Sequence, residues 1–245
     1  MLISSFSITT LLVLKSTQKN NMTNYYSNLL NSNNLQRCYE IAPNRVKQFL
    51  EAEIVFVLNK TSQNDIVLDL GCGYGRVAIR LLEKAKIVVG IDISKDNINL
   101  TKEIVGIKEN CEFYTMDAID LKFADNIFDM VICVQNNISA FKVDPLRLFK
   151  ESIRVTRIGG TVLFSTYSEN FWDNRLKWFQ IQAEHKLIGE IDYKQTKNGV
   201  IVCKDGFRAI TYSEQELIEL ASHFNVQITI HEIDNSCVFC EMVVN

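Results

Sequence analysis

The chain has 245 residues, 47% hydrophobic and 22% charged, an ordinary make-up for one globular domain with an insertion or extension. Twenty-six Lys and Arg stand against twenty-nine Asp and Glu, a net charge of −3, so the basic excess expected of a nucleic-acid binder is missing. Seven scattered cysteines, several of them inside apolar runs, and three histidines argue against a disulfide framework or a metal site and fit a reduced, cytoplasmic chain.

Residues 1–21 stand apart as an apolar, then Asn-rich stretch. Leu2 to Leu14 is shorter than the roughly 20 residues of a membrane span. No basic residue precedes it, as a signal peptide would require. The expectation is a disordered leader, with a single domain over 22–245 that opens near Met22. Within it, 22–60 form an N-terminal lid and helix. Pro43 and Asn44 start that helix, with Val46, Leu50, Ile54 and Val57 on one face. Apolar strands then alternate with helices. Strands are expected at Ile66–Leu70, at KIVVGIDIS, CEFYTMDA and FDMVICV, and at GGTVLFSTY; helices at Gly75–Lys84, at Lys95–Lys108, and from Asp144-Pro145 through Arg154. This alternation implies a parallel sheet covered on both faces.

After Tyr167 the alternation breaks. Trp172, Leu176, Phe179 and Ala183 lie at helical spacing, and LIGEIDYKQTKNGVIVCKDG reads as a hairpin turning at Asn198-Gly199. Residues 167–211 are thus an insertion after the fifth strand. A capping box, Ser213 with Glu216, restarts the pattern, and two strands close it.

One stretch carries chemistry. In IVLDLGCGYGRVAIRLL, residues 66–82, an acid and three alternate glycines end a strand and open a helix. Such a loop lets a ligand approach the backbone and aims free N–H groups at an anion. The spacing Gly71-x-Gly73-x-Gly75 is not that of a dinucleotide site. Asp69, two residues before the first glycine, would repel a pyrophosphate and welcome an ammonium group. Asp92 ends the next strand, where an acid accepts from ribose hydroxyls. A ligand with ribose, carboxylate and ammonium groups is implied, and S-adenosylmethionine fits.

At these residues the chain resembles the class I S-adenosylmethionine-dependent methyltransferases. The motifs are VLDLGCGYG, VVGIDIS, MDAIDLKFADNIFDMVICV and RIGGTVLFST, and they span roughly Ile66 to Ser168. The resemblance implies an α/β, Rossmann-like seven-stranded sheet whose last strand is antiparallel. It places Asp69, Gly71, Cys72, Gly73, Gly75, Asp92, Ile93, Met116, Asp117, Ala118 and Val134 around the cofactor, with Asp117 and Ala118 flanking the adenine. It also puts Gln135, Asn136 and Asn137 near the transferred methyl.

Methyl transfer is an in-line displacement on a sulfonium and needs no metal; orientation supplies much of the rate. No catalytic side chain is evident. Candidate acceptor contacts are Tyr25, Tyr26 and Tyr39 ahead of the core, and Tyr167, Phe171, Trp172 and Trp178 at the insertion. An aromatic insertion and the absence of a Pro-Pro motif in VQNNIS favour a small-molecule acceptor, with no nucleic acid or membrane partner. An RNA or protein acceptor, or a non-catalytic cofactor-binding protein, stays open. Three other features read as structure: Cys237-x-x-Cys240 in an apolar strand, Tyr193 with Lys197 beside a turn, and His185 on an aromatic helix.

Overall fold

A computed structural model describes residues 32–245. The leader 1–21 and the candidates Tyr25 and Tyr26 lie outside the described residues. Helix α1 (Ser32–Glu40), absent from the expectations above, precedes α2 (Asn44–Lys60). There follow β1 (Ile66–Leu70), α3 (Arg76–Leu81), β2 (Ile87–Asp92), α4 (Lys95–Val105), β3 (Cys111–Thr115) and β4 (Phe128–Cys133). Then come α5 (Asn137–Ala140), α6 (Pro145–Val155) and β5 (Thr156–Tyr167). The insertion holds a 3-10 turn (Glu169–Phe171), α7 (Trp172–Glu184), β6 (Ile201–Val202) and β7 (Arg208–Ala209). The closing elements are α8 (Glu214–Ser222), β8 (Val226–Ile233) and β9 (Cys237–Val244).

The main sheet has seven strands in the order β3-β2-β1-β4-β5-β9-β8. Strands β1 to β5 pair in parallel. Strand β9, the last in sequence, runs antiparallel to both β5 and β8, so the expected architecture holds. The strand order reverses between β1 and β4, and in open α/β sheets ligands bind at the carboxyl ends of the strands beside such a reversal.

Local chemistry sets the helix ends. Asp144 caps α6 by accepting from Leu146 N at 3.0 Å, with Pro145 at the first helical position. Ser213 and Glu216 form the capping box of α8. Helix α4 stops at Val105, short of Lys108, because Gly106 turns to φ +69°. Helix α3 begins one residue late, since Gly75 sits at φ +89° as its cap.

Two apolar layers flank the sheet. One contains Phe49 and Val57 of α2, Val77 and Leu81 of α3, and Trp178 and Phe179 of α7. The other contains Leu148 and Phe149 of α6 and Leu217 and Ala221 of α8. Cys237 and Cys240 are both fully buried, one in each layer, so the two thiols face opposite sides of the sheet. The expected hairpin is realised in part. Asn198 (φ 51°) and Gly199 (φ 75°) do make the turn, bridging Lys197 to Val200. The ladder, however, lies downstream: Ile201–Val202 pair with Arg208–Ala209, and only Ile191 and Cys203 bridge back. Asp192 curls the upstream arm into a turn of its own, accepting Lys194 N on its side chain and Thr196 N on its carbonyl.

Candidate functional site

The glycine loop is strapped to β2. Gly71 N and Cys72 N both donate to Ile91 O, at 2.8 and 2.9 Å, and Gly73 N donates to Asp92 Oδ2 at 3.0 Å. Gly71, Gly73 and Gly75 all have positive φ, a backbone state that side chains disfavour. A Cβ on Gly71 would sit 2.6 Å from the Phe141 ring and 2.7 Å from Asn137 Nδ2, and one on Gly75 2.9 Å from Thr101. Over Gly73 the nearest neighbour is Leu35 of α1, at 3.1 Å. Gly71 and Gly73 line the cleft, whereas Gly75 packs on α4 outside it.

Three aspartates stand along this end of the cleft. Asp69 is 1% exposed, and its Oδ2 has no hydrogen-bond partner. Burial pushes its carboxyl up to about 7; Asp92 and Glu53 push the same way and the Arg76 guanidinium opposes them. Asp92 accepts from Ser94 N (2.8 Å) and Asn97 Nδ2 (3.2 Å) on Oδ1 and from Gly73 on Oδ2. A carboxylate offers about four acceptor positions, so one remains for a ligand hydroxyl. Asp117 holds Ile119 N at 3.1 Å on Oδ1. Cys72, Ile93, Met116, Ala118 and Val134 complete this end. Ile93 is an apolar side chain 44% exposed at the rim.

The other end is assembled from distant segments. Gln135 and Asn136 both adopt left-handed backbone, with φ 60° and 57°. Buried Glu53 holds them there. Its Oε1 accepts from Gln135 N (2.8 Å) and Ser165 Oγ (2.5 Å), and its Oε2 lies 3.4 Å from Arg76 Nη2. Gln135 Nε2 donates to Tyr167 Oη at 3.1 Å, while Gln135 Oε1 is buried without a partner. Asn136 reaches across to the insertion, donating to Ile210 O at 2.8 Å and accepting from Thr166 Oγ1 at 3.0 Å. Asn137 donates to Leu70 O and Gly71 O, so it fastens the glycine loop. Tyr39 packs edge-on against Tyr74 and tilted against Trp178, 5.8 Å from each, and lies 5.1 Å from the Arg76 guanidinium. Trp178 Nε1 donates to Cys38 O at 2.9 Å, joining α7 to α1 over the cleft.

Two expected acceptor contacts are corrected. Phe171 is fully buried between Phe49, 5.0 Å away, and the Arg45 guanidinium, 4.9 Å away. Trp172 packs against the same apolar layer, close to buried Arg175. Neither lines the cleft, because the 3-10 turn before α7 rotates both toward the core. Leu35, Cys38, Tyr74 and Arg76 line the cleft and Glu53 supports it from behind; sequence reasoning passed over all five. Tyr74 and Arg76 alone carried a signal, as the residues on either side of the third glycine.

A family model described as a methyltransferase domain matches residues 67–160. The matched segment is a methyltransferase domain. YqeM of Bacillus subtilis is 34% identical over 104 residues, 42% of each chain. The ubiquinone biosynthesis O-methyltransferase of Coxiella burnetii is 30% identical over 132 residues, 54% of this chain and 53% of that protein. The chain therefore spans about half the length of the curated relatives it matches. The solved structure of an S-adenosylmethionine-dependent methyltransferase from Methanosarcina mazei superposes with a TM-score of 0.58 at 24% identity, covering 77% of this chain and 97% of that one. It shares the fold.

Proposed function

We propose that this chain binds S-adenosylmethionine at the glycine-loop end of the cleft and transfers its methyl group to a small-molecule acceptor at the other end. The observation that carries the reading is the buried, unpartnered Oδ2 of Asp69 beside a loop tethered to Asp92. A carboxylate oxygen left bare in a dry site is costly unless a ligand donor meets it. The cofactor's ammonium is such a donor. Asp92 would take a ribose hydroxyl, and the Gly71–Gly73 backbone would lie along the methionyl part. Ile93, Met116 and Ala118 would enclose the adenine, whose amino group Asp117 would accept.

When bound, S-adenosylmethionine supplies an electrophilic methyl group and a thioether leaving group. The protein's part is to orient and to exclude water. The Asp92 tether fixes the loop, and Asn137 fixes it from the side of β4. The Tyr39, Tyr74 and Trp178 rings, inclined to one another, close the acceptor end with an aromatic wall. Among the described residues, the lining sets three aspartates against one arginine, a charge balance unfavourable to a phosphate backbone. No described helix is long and apolar enough to cross a membrane, and we place the reaction in the cytoplasm.

The test is twofold. Calorimetry should show S-adenosylhomocysteine binding that Asp69→Asn weakens. Methyl-labelled cofactor with a metabolite extract should yield a labelled small product. Binding without any transfer would point to a non-catalytic protein, and transfer only to RNA or protein would overturn the small-molecule reading.

A further inference from the structure

Among the described residues, two buried side-chain acceptor oxygens lack a partner, Asp69 Oδ2 and Gln135 Oε1. Both residues line the same cleft. The methyl-transfer reading uses the first for the cofactor's ammonium and leaves the second unexplained. Gln135 is not there by accident of packing. Its backbone is held in the left-handed region by Glu53, and its amide nitrogen is held by Tyr167. Strain of this kind persists where surrounding contacts over-determine it, and it clusters at functional sites. The result is a carbonyl oxygen fixed in place and waiting for a donor.

Among the described residues, the acceptor end of the cleft has no free group suited to removing a proton. The chain's three histidines are elsewhere. His185 ends α7 and is exposed, His223 ends α8, and His231 lies on β8 bound to Glu241. The carboxylates that line the cleft, Asp69, Asp92 and Asp117, are each taken up by the cofactor in the methyl-transfer reading. Glu53 is behind the wall with both oxygens engaged. Residues 1–31 contain no Asp, Glu or His. The phenols of Tyr39, Tyr74 and Tyr167 are pushed above their ordinary range by burial, which makes them poorer bases at neutral pH.

We infer that the acceptor is an uncharged amine nitrogen on an apolar body, and that Gln135 orients it by accepting its N–H. An amine carries its reactive lone pair apart from its hydrogen, so one N–H can satisfy Gln135 Oε1 while the lone pair faces the methyl group. A neutral hydroxyl also donates, but it must lose that proton as the new bond forms, and nothing at this end takes it. A carboxylate or thiolate needs no base, yet it has no donor for Gln135 and adds negative charge to a cleft that already holds three aspartates and one arginine. In the transfer, the nitrogen lone pair forms the N–C bond while the C–S electron pair returns to sulfur, leaving a thioether. The nitrogen becomes positive, which the acidic cleft favours. Its extra proton is released to water after the product leaves.

This inference rests on the methyl-transfer reading, and one experiment separates the two. The full chain is incubated with methyl-deuterated S-adenosylmethionine and an aqueous metabolite extract. Mass fragmentation then assigns the label to nitrogen, oxygen, sulfur or carbon, and calorimetry follows S-adenosylhomocysteine in parallel. The expected product carries the label on nitrogen. With that acceptor, Gln135→Leu raises KM at least about tenfold while cofactor affinity stays within about threefold. Gln135→Glu keeps an acceptor oxygen and retains turnover. Its carboxylate favours the protonated amine, so the rising limb of the pH–rate profile moves to higher pH. Label on oxygen, sulfur or carbon overturns the inference and leaves methyl transfer standing. So does an unchanged KM in Gln135→Leu. If that variant fails to fold, an unmoved pH limb in Gln135→Glu overturns it. Bound S-adenosylhomocysteine with no labelled product at all overturns methyl transfer itself, and the inference with it.

Discussion

At the glycine-loop end of the cleft, Asp69, Gly71, Gly73 and Asp92 come from the ends of two adjacent strands, and the loop is tied to the second of them by Gly71 N on Ile91 O and Gly73 N on Asp92. At the acceptor end, Cys38, Gln135, Tyr167 and Trp178 come from four separate elements joined by side chains. The first end is held by local geometry and the second by tertiary packing. A substitution at the first should therefore change binding more than folding. One in the packing behind the second should change folding first.

The sharpest test of that contrast is Phe171→Ala. Phe171 fills the space between α2 and the insertion, and emptying it should cost about 3–5 kcal/mol of stability. Denaturant unfolding should show that loss, with turnover per folded molecule unchanged. A selective loss of turnover in a fully stable variant would return Phe171 to the acceptor site.

Asp92→Ala should do the reverse. It removes the acceptor of Gly73 N and Ser94 N and the proposed ribose contact, so S-adenosylhomocysteine affinity should fall by about 1.5–3 kcal/mol, tenfold or more. Calorimetry showing unchanged affinity would sever the loop tether from binding.

Asp69 gives a pH signature of the same region. Its carboxyl is raised from 3.8 to about 7. Its unfavourable effect on folding is therefore absent below about pH 3.8, grows as pH climbs toward 7, and is constant above. The ligand's ammonium pairs with the ionised form only. Binding of S-adenosylhomocysteine should weaken as pH falls below about 7, approaching roughly tenfold per pH unit. Asp69→Asn should bind weakly with a flat profile, and its ligand-free melting temperature should gain more at pH 8 than at pH 5. A wild-type profile that is flat across pH 7 would show that Asp69 does not meet the ammonium.

The smallest effect is expected from Trp178→Phe. It keeps the ring against Tyr39 and removes one donor to Cys38 O, which is worth about 0.5–1.5 kcal/mol. The melting temperature should drop slightly, with cofactor affinity within about threefold. A larger loss of affinity would mean that α1 clamps the cofactor through this one bond.

The same division explains what could be read in the sequence. The alternation of apolar strands with helices, the caps at Asp144 and Ser213, and the acid–glycine–acid pattern are all short-range signals, and each has its expected place in the structure. Glu53 had no such signal. It reads as one more polar residue on an amphipathic helix, yet it holds Gln135 N and Ser165 Oγ, 82 and 112 positions away. Phe171 was misplaced for a related reason. Proximity to a strand end suggested the cleft, but the direction of its side chain is set by a 3-10 turn that spacing does not reveal. The hairpin was half legible: Asn198-Gly199 specify a turn, whereas the choice of strand partner depends on Asp192 and on residues 208–209.

Strand β9 has a consequence for how the molecule is made. It lies between β5 and β8, though it is the last of the nine strands among the described residues in chain order. While the nascent chain emerges from the ribosome, β5 presents an open edge of unpaired N–H and C=O groups, and β8 has no neighbour to pair with. The sheet can close only when residues 237–244 arrive and slot between the two, a late and non-local pairing of the kind that slows folding. Every part of the proposed cleft described here has been synthesised by then. The growing protein would thus carry its whole reaction site for some time on a scaffold still open to aggregation.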